Sequence, residues 1–283
     1  MELAVMAVGL FDRSWEEALD TIVSLGVRLV EPCGGGHIPK LHYDPVALAS
    51  DQDALSRFKE TVDKRGLEIC AFGCHGNPLH PDPKHQRSVH EDFVATCRIA
   101  GQFGVPRVDL LSGCPAGGPN DTTPNWIINS IYPTFKSAYR WQWEECVIPY
   151  WKEAAKVAED LGVKICVEPL GGDVIYNVQT FSRLRDAIGP TIGVNFAPSH
   201  FFWQGVDIAG VIEELGEAIY FVHAKDVSTD RRLLGRNGLL PAVDYDDWNG
   251  RSWVPRAIGY GHDESFWRDF VIAPIHRNPH TLH

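Results

Sequence analysis

Three segments of this chain end an apolar run on a side chain that can bind a cation or move a proton. Val167-Glu168-Pro169-Leu170-Gly171-Gly172-Asp173 places a carboxylate where a strand gives way to a glycine-rich loop. Gly193-Val194-Asn195-Phe196-Ala197-Pro198-Ser199-His200 places an imidazole about one turn beyond its run, and Phe221-Val222-His223-Ala224-Lys225-Asp226 places a second one at the run's end. One carboxylate and two imidazoles at successive strand ends form a ligand set suited to a divalent cation. Each also has a plainer reading. Glu168 would pair with a loop arginine or cap the next helix, His223 would be a buried histidine bonded to backbone, and His200 would pack on Trp203. Lys225 and Asp226 read first as an internal ion pair, with a substrate contact as the alternative. Arg256 is either a contact to a substrate oxygen or phosphate, or a solvated charge.

These residues need elements to hold them, and the chain repeats one pattern: a short β-branched run, a Gly- or Pro-rich loop, then an amphipathic segment closed by glycine. The strands predicted are Leu3–Val8, Val27–Glu31, Leu67–Phe72, Val105–Leu111, Val163–Val167, Ile192–Phe196 and Ala218–Val222. Between them fall helices over Ser14–Leu25, near Asp53–Arg65, near Ser88–Phe103, over Trp143–Leu161, over Val178–Ile188 and near Ile208–Leu215. Ser14 followed three residues later by Glu17 is a capping-box signature. Strands alternating with helices at this spacing pair in parallel through right-handed crossovers. An open doubly wound sheet would show the same alternation. A single glycine after the first strand lacks the dinucleotide fingerprint, and Glu31, His75, Glu168 and His223 recur at strand carboxyl ends, where barrel enzymes keep their chemistry. The expectation is one α/β domain over 1–283, a (β/α)8 TIM barrel. Its last βα unit is truncated or degenerate, because the segment after Trp267–Ile272 carries two prolines and makes a poor strand.

With Gly73-Cys74-His75-Gly76-Asn77-Pro78 and Gly259-Tyr260-Gly261-His262-Asp263 added, the three segments resemble the sugar phosphate isomerase/epimerase family, the xylose-isomerase-like TIM barrels. The resemblance runs over 1–270, leaving 271–283 as an atypical tail. In that family a strand-five Glu, a strand-six Asp of an Asp-Pro-Ser-His motif, a strand-seven His and a strand-eight Glu hold one divalent metal: Mn, Mg, Co or Zn. Position by position, the resemblance makes Glu168 a metal ligand and catalytic base, and His223 a metal ligand. His75, His200, Lys225 and Arg256 become candidate substrate contacts. Two ligands do not carry over. Ala197 stands where the family has Asp, and the strand-eight Glu has no counterpart here, so weak metal binding is expected. The implied activity is isomerisation or epimerisation of a ketose or keto-polyol through an enediolate. A lyase or hydratase acting on 3-keto sugars uses the same enolate chemistry, and a non-catalytic degenerate barrel is the remaining alternative.

Composition removes other classes. The chain has 283 residues and a formal net charge of -11, which repels a phosphate backbone, so nucleic acid is excluded as a partner. The related abasic-site endonucleases need an Asp-x-His pair shortly before the Gly-x-Gly loop, and Trp253-Val254-Pro255-Arg256 supplies none. No apolar run approaches the ~20 residues of a membrane span, and the amino-terminal segment lacks the basic start of a signal peptide, so a cytoplasmic protein is expected. Seven cysteines without a CxxC pair read as reduced, buried thiols. Trp126, Trp141 and Trp143 either wall a sugar pocket or form a subunit contact, and Gly34-Gly35-Gly36-His37 is a flexible loop or an anion cradle. A missing last strand would bare two sheet edges, so a homo-oligomer, dimer or tetramer, is expected to cover them.

Overall fold

Short parallel strands and the helices that return the chain between them dominate the computed structural model, which describes residues 2–240 and 242–272. These residues group into two compact units, one over 2–193 and one from 194 onward.

The first unit opens with β1 (Ala4–Met6), α1 (Trp15–Ser24), β2 (Leu29–Glu31), α2 (Pro45–Ser50) and α3 (Gln52–Asp63). The capping box predicted at Ser14 is formed: Glu17 N–H donates to Ser14 Oγ, and Ser14 N–H donates to the Glu17 carboxylate. The expected third strand is split into β3 (Glu68–Ile69) and β4 (Phe72–Gly73), followed by α4 (Pro83–Phe103) and β5 (Arg107–Leu111). β1, β2 and β3 pair in parallel, as do β4, β5 and β6 (Lys164–Glu168). Backbone bonds from Cys70 N–H to Val30 O and from Gly73 N–H to Pro32 O carry the pairing with β2 across the break. β5 and β6 match over five residue pairs, from Arg107↔Lys164 to Leu111↔Glu168.

Where a single helix over 143–161 was expected, the chain forms α5 (Pro133–Trp141), a π-helical turn over Gln142–Val147 and α6 (Ile148–Asp160). Ile148 N–H reaches Trp143 O five residues back, and Pro149 next to it has no N–H with which to restore the ordinary ladder. The wide turn buries Gln142, whose Nε2 donates to the carbonyls of Ala116 at 2.9 Å and Asn125 at 2.7 Å, anchoring the long loop after β5. Trp143 is 1% exposed beneath the Arg183 guanidinium, so it is a core side chain and not a pocket wall. α7 (Val178–Ile188) matches the expected bounds.

In the second unit, β7 (Ile192–Phe196) pairs in parallel with β8 (Ile219–Val222), and α8 (Ser199–Phe202) and α9 (Ile208–Leu215) lie between them in sequence. An antiparallel ribbon then follows that the alternating pattern did not announce: β9 (Asp226–Thr229) against β10 (Trp253–Arg256), with α10 (Arg231–Asn237) between. Pro255 is tolerated there because a two-stranded ribbon leaves edges free of ladder bonds. α11 (Glu264–Ile272) closes the described chain. Val271 and Ile272 end this helix, and the proline-bearing segment after it, expected above to make a poor strand, lies outside the described residues. All seven cysteines are free, six of them buried. Among the described residues, no helix is long and apolar enough to cross a membrane.

The glycine run after β2 is held in place and makes a poor anion cradle, because three of its amides are already spent. Gly34 N–H bonds Gly73 O, Gly36 N–H bonds Asp92 Oδ2 at 2.9 Å, and His37 N–H bonds His75 O at 2.6 Å. Gly36 has φ +65°, and a Cβ there would overlap the His75 carbonyl, whereas Gly26, at φ +73°, faces open space. Gly36→Ala is therefore expected to cost ~3 kcal/mol or more, against roughly 1–2 kcal/mol for Gly26→Ala, whose only penalty is left-handed backbone. Urea denaturation of both variants checks this, and equal losses would refute the packing argument.

Candidate metal centre

In the first unit the carboxylate of Glu168 stands at the end of β6 with 9% of the residue exposed. His75, also 9% exposed and two residues past β4, donates from Nε2 to Glu168 Oε2 at 3.2 Å. A buried carboxylate requires such a donor, since leaving it without one costs several kcal/mol. His75 is itself held from several loops. Its carbonyl accepts from His37, and the glycine run is tied to α4 through Asp92, which also takes Lys40 Nζ at 2.7 Å. Asn77 bonds Cys114 in both directions at 2.9 Å, locking the loop after β4 to the loop after β5.

Behind Glu168, Asp173 is 9% exposed and accepts Gly113 N–H at 3.3 Å through Oδ2. Burial raises its pKa to about 7; the Gly113 bond opposes this, and the charge of Glu168 adds to it. Asp173 therefore carries a proton over much of the acid-to-neutral range, which keeps two full negative charges from crowding together. A second carboxylate pair lies deeper. Glu31 is 1% exposed, Asp109 is 0% exposed, and oxygens of the two lie within 4.8 Å of each other. Cys33 Sγ sits 3.5 Å from Glu31 Oε1, and burial followed by the Glu31 charge pushes this thiol well above its usual range. Glu31 was noticed as a strand-end acid. Asp109 was not, although a charge inside the apolar run Val108-Asp109-Leu110 was a usable signal.

In the second unit His223 follows β8 directly. Its backbone N–H bonds Phe196 O at 3.1 Å, and its Nδ1 lies 2.9 Å from Asn195 Nδ2. Asn195 and Ala197 are both 0% exposed. His200 lies on α8, while Trp203, its expected partner, stacks on Trp253 at 5.0 Å. The ion pair expected between Lys225 and Asp226 is not formed. Lys225 is exposed, and the fully buried Asp226 takes His262 Nδ1 at 2.7 Å, the backbone N–H groups of Val227, Gly259, Gly261 and His262, and Trp267 Nε1. A carboxylate with that many donors outcompetes a solvated ammonium, and despite burial its pKa falls to about 2. Asp226 thus clamps the Gly259–His262 loop. Arg256 is exposed on the ribbon and donates to Ser228 Oγ at 3.0 Å.

The family profile described as xylose isomerase-like TIM barrel matches residues 19–268. The chain belongs to this family. Its fold is that α/β barrel with parallel sheets. An uncharacterized protein of Bacillus subtilis strain 168, YfiH, is 38% identical over 274 residues, covering 95% of this chain and 87% of that one. Among solved structures, the probable 3-DHS dehydratase AsbF of Bacillus anthracis has a TM-score of 0.65 at 12% identity, covering 99% of this chain and 90% of its own. A zinc-bound IOLI protein has a TM-score of 0.63 at 16% identity, with coverages of 97% and 85%. D-Psicose 3-epimerase of Clostridium cellulolyticum H10, solved with D-tagatose, has a TM-score of 0.56 at 15% identity, with coverages of 80% and 73%.

The donors present suit a divalent cation. Taken singly, Glu168 is a carboxylate with a hydrogen-bonded histidine at one oxygen, and His223 is an imidazole with the buried Asn195 amide against Nδ1, both donor types that such an ion takes. The pKa of Asp173 gives a further test. The group is raised in the folded state, so its stabilising contribution is complete below the unfolded value near 3.8 and is lost as pH rises through about 7. In chelator-treated protein, Asp173→Asn should therefore gain stability relative to the parent between about pH 4 and 8, by a few kcal/mol. Denaturant curves at several pH values measure this, and a difference that does not change with pH would refute it.

Proposed function

We propose that this protein is a divalent-metal-dependent isomerase or epimerase of a small ketose or keto-polyol, with Glu168 and His223 as metal ligands and Glu168 also as the base. The observation that carries this reading is the buried Glu168 carboxylate at the end of β6, held by His75 Nε2 at 3.2 Å. Family membership supports it, and so does the epimerase among proteins of the same fold.

The work of the chain's own groups follows from their chemistry. Removing a proton next to a carbonyl needs a base whose free lone pair is aimed outward. The His75 N–H occupies one Glu168 oxygen and orients the other. Asp173, protonated toward neutral pH, limits the negative charge beside that base. Burial of Glu168 limits the access of water to the carboxylate. A bound divalent cation would supply Lewis acidity toward adjacent substrate oxygens. His200, Lys225 and Arg256 stay assigned to substrate contact in this reading, with His75 acting through Glu168.

The dehydratase AsbF favours a second reading on the same site, in which the carbanion formed beside the carbonyl expels a β-hydroxyl. The two separate in one assay: a panel of keto-sugars incubated with manganese-loaded protein in deuterated water. Isomerase or epimerase action exchanges the α-proton and returns a sugar, whereas elimination yields an unsaturated ketone absorbing in the ultraviolet. Glu168→Gln should lower either rate by about 10²-fold or more. Ala197→Asp should tighten manganese binding at least tenfold by returning an anionic ligand. No exchange, no elimination and no metal uptake by either protein would leave the non-catalytic barrel as the answer. Assembly into a dimer or tetramer belongs to the same proposal. It is supported by α5, which buries none of its residues and adjoins exposed Ile131 and Tyr132, and light scattering tests it.

A further inference from the structure

We infer that Asn195 is a positioning residue that sets the tautomer of His223, and that a divalent cation turns its side-chain amide over on binding. Asn195 is 0% exposed on a strand whose neighbours Ile192, Val194 and Phe196 are apolar and equally buried. A polar amide interrupts an otherwise hydrophobic element there, and the register with β8 shifts between Val194 and Asn195. Its Nδ2 lies 2.9 Å from His223 Nδ1, while its Oδ1 is buried with no hydrogen-bond partner among the described residues. The bond from His223 N–H to Phe196 O fixes the ring's root beside the amide.

An amide nitrogen only donates, so in this arrangement His223 Nδ1 accepts and the ring's single proton sits on Nε2. That tautomer has no lone pair to give a cation: the one on Nδ1 is engaged by Asn195, and Nε2 carries hydrogen. Ligation through Nε2 requires the proton on Nδ1, and then the partner opposite must accept. Turning the amide by a half-rotation offers Oδ1 in place of Nδ2, with almost no change of shape. The histidine then donates to a side-chain oxygen, the support that metal-bound imidazoles usually have. Asparagine serves both states, whereas aspartate would hold only the metal-ready one. The buried Oδ1 without a partner marks the group that the second state uses.

This inference rests on His223 being a metal ligand, and the experiment separates the two. In metal-free protein labelled with 15N-histidine, His223 should show Nε2–H, and zinc should convert it to Nδ1–H. Asn195→Asp should show Nδ1–H without metal and bind zinc at least tenfold tighter. Asn195→Leu, which keeps the branching of the side chain and removes both functions, should bind 10- to 100-fold more weakly. Circular dichroism and denaturation confirm that each variant is folded, and the aspartate variant remains informative if the leucine variant is not. If His223→Ala leaves zinc affinity unchanged, the ligand assignment fails and takes this inference with it. If His223→Ala abolishes binding while both Asn195 variants bind like the parent and the tautomer does not change, the inference fails alone.

Discussion

Everything around the site follows from keeping the Glu168 carboxylate charged at the edge of an apolar sheet. An ion at 9% exposure survives only with donors on it and with no second full charge beside it. His75 supplies the donor, and the raised pKa of Asp173 removes the second charge. Both supports depend on loops whose own polar groups are spent on one another. Gly36 and His37 grip the loop that bears His75, Asn77 ties that loop to the next, and Gln142 anchors the long segment after β5. The loops around the site are bonded to each other as well as to the strands beneath them.

The same logic governs the second unit on a different acid. Asp226 is buried completely, yet is held as a carboxylate by four backbone N–H groups, an indole and an imidazole. Solvating a buried anion with fixed amide dipoles shapes the Gly259–His262 loop as firmly as a metal would. An ion pair with Lys225 would have left that loop without an anchor. His262 is then fixed by Asp226 at Nδ1 and by the Phe202 ring stacked 4.0 Å away.

Periodic features were legible in the sequence and singular ones were not. The strand ends at Glu31, Glu168 and His223 could be read because apolar runs and glycine stops recur, and the Ser14 cap could be read because its signature is local. The β9–β10 ribbon escaped because Trp253–Arg256 contains a proline and lacks alternation. The π-helical turn escaped because it depends on how Gln142 meets three distant carbonyls. Asn195 could be read as part of a motif, but its partner is 28 residues away, just past the end of β8, and that pairing is a property of register, which no local pattern encodes.

Ala197 directly follows β7, two residues beyond Asn195. A methyl group at 197, fully buried, cannot replace an anionic ligand, so in the proposed reading a bound cation would be less neutralised by protein and would act as a stronger Lewis acid toward whatever else it held. Weaker retention and stronger polarisation are the same change seen from two sides. Behind His223 a neutral amide takes the place an acid would occupy, which withholds a further charge from the imidazole. In the proposed reading, a cation held by so few protein ligands would have its affinity coupled to that of the substrate. Each should then strengthen the other by the same factor.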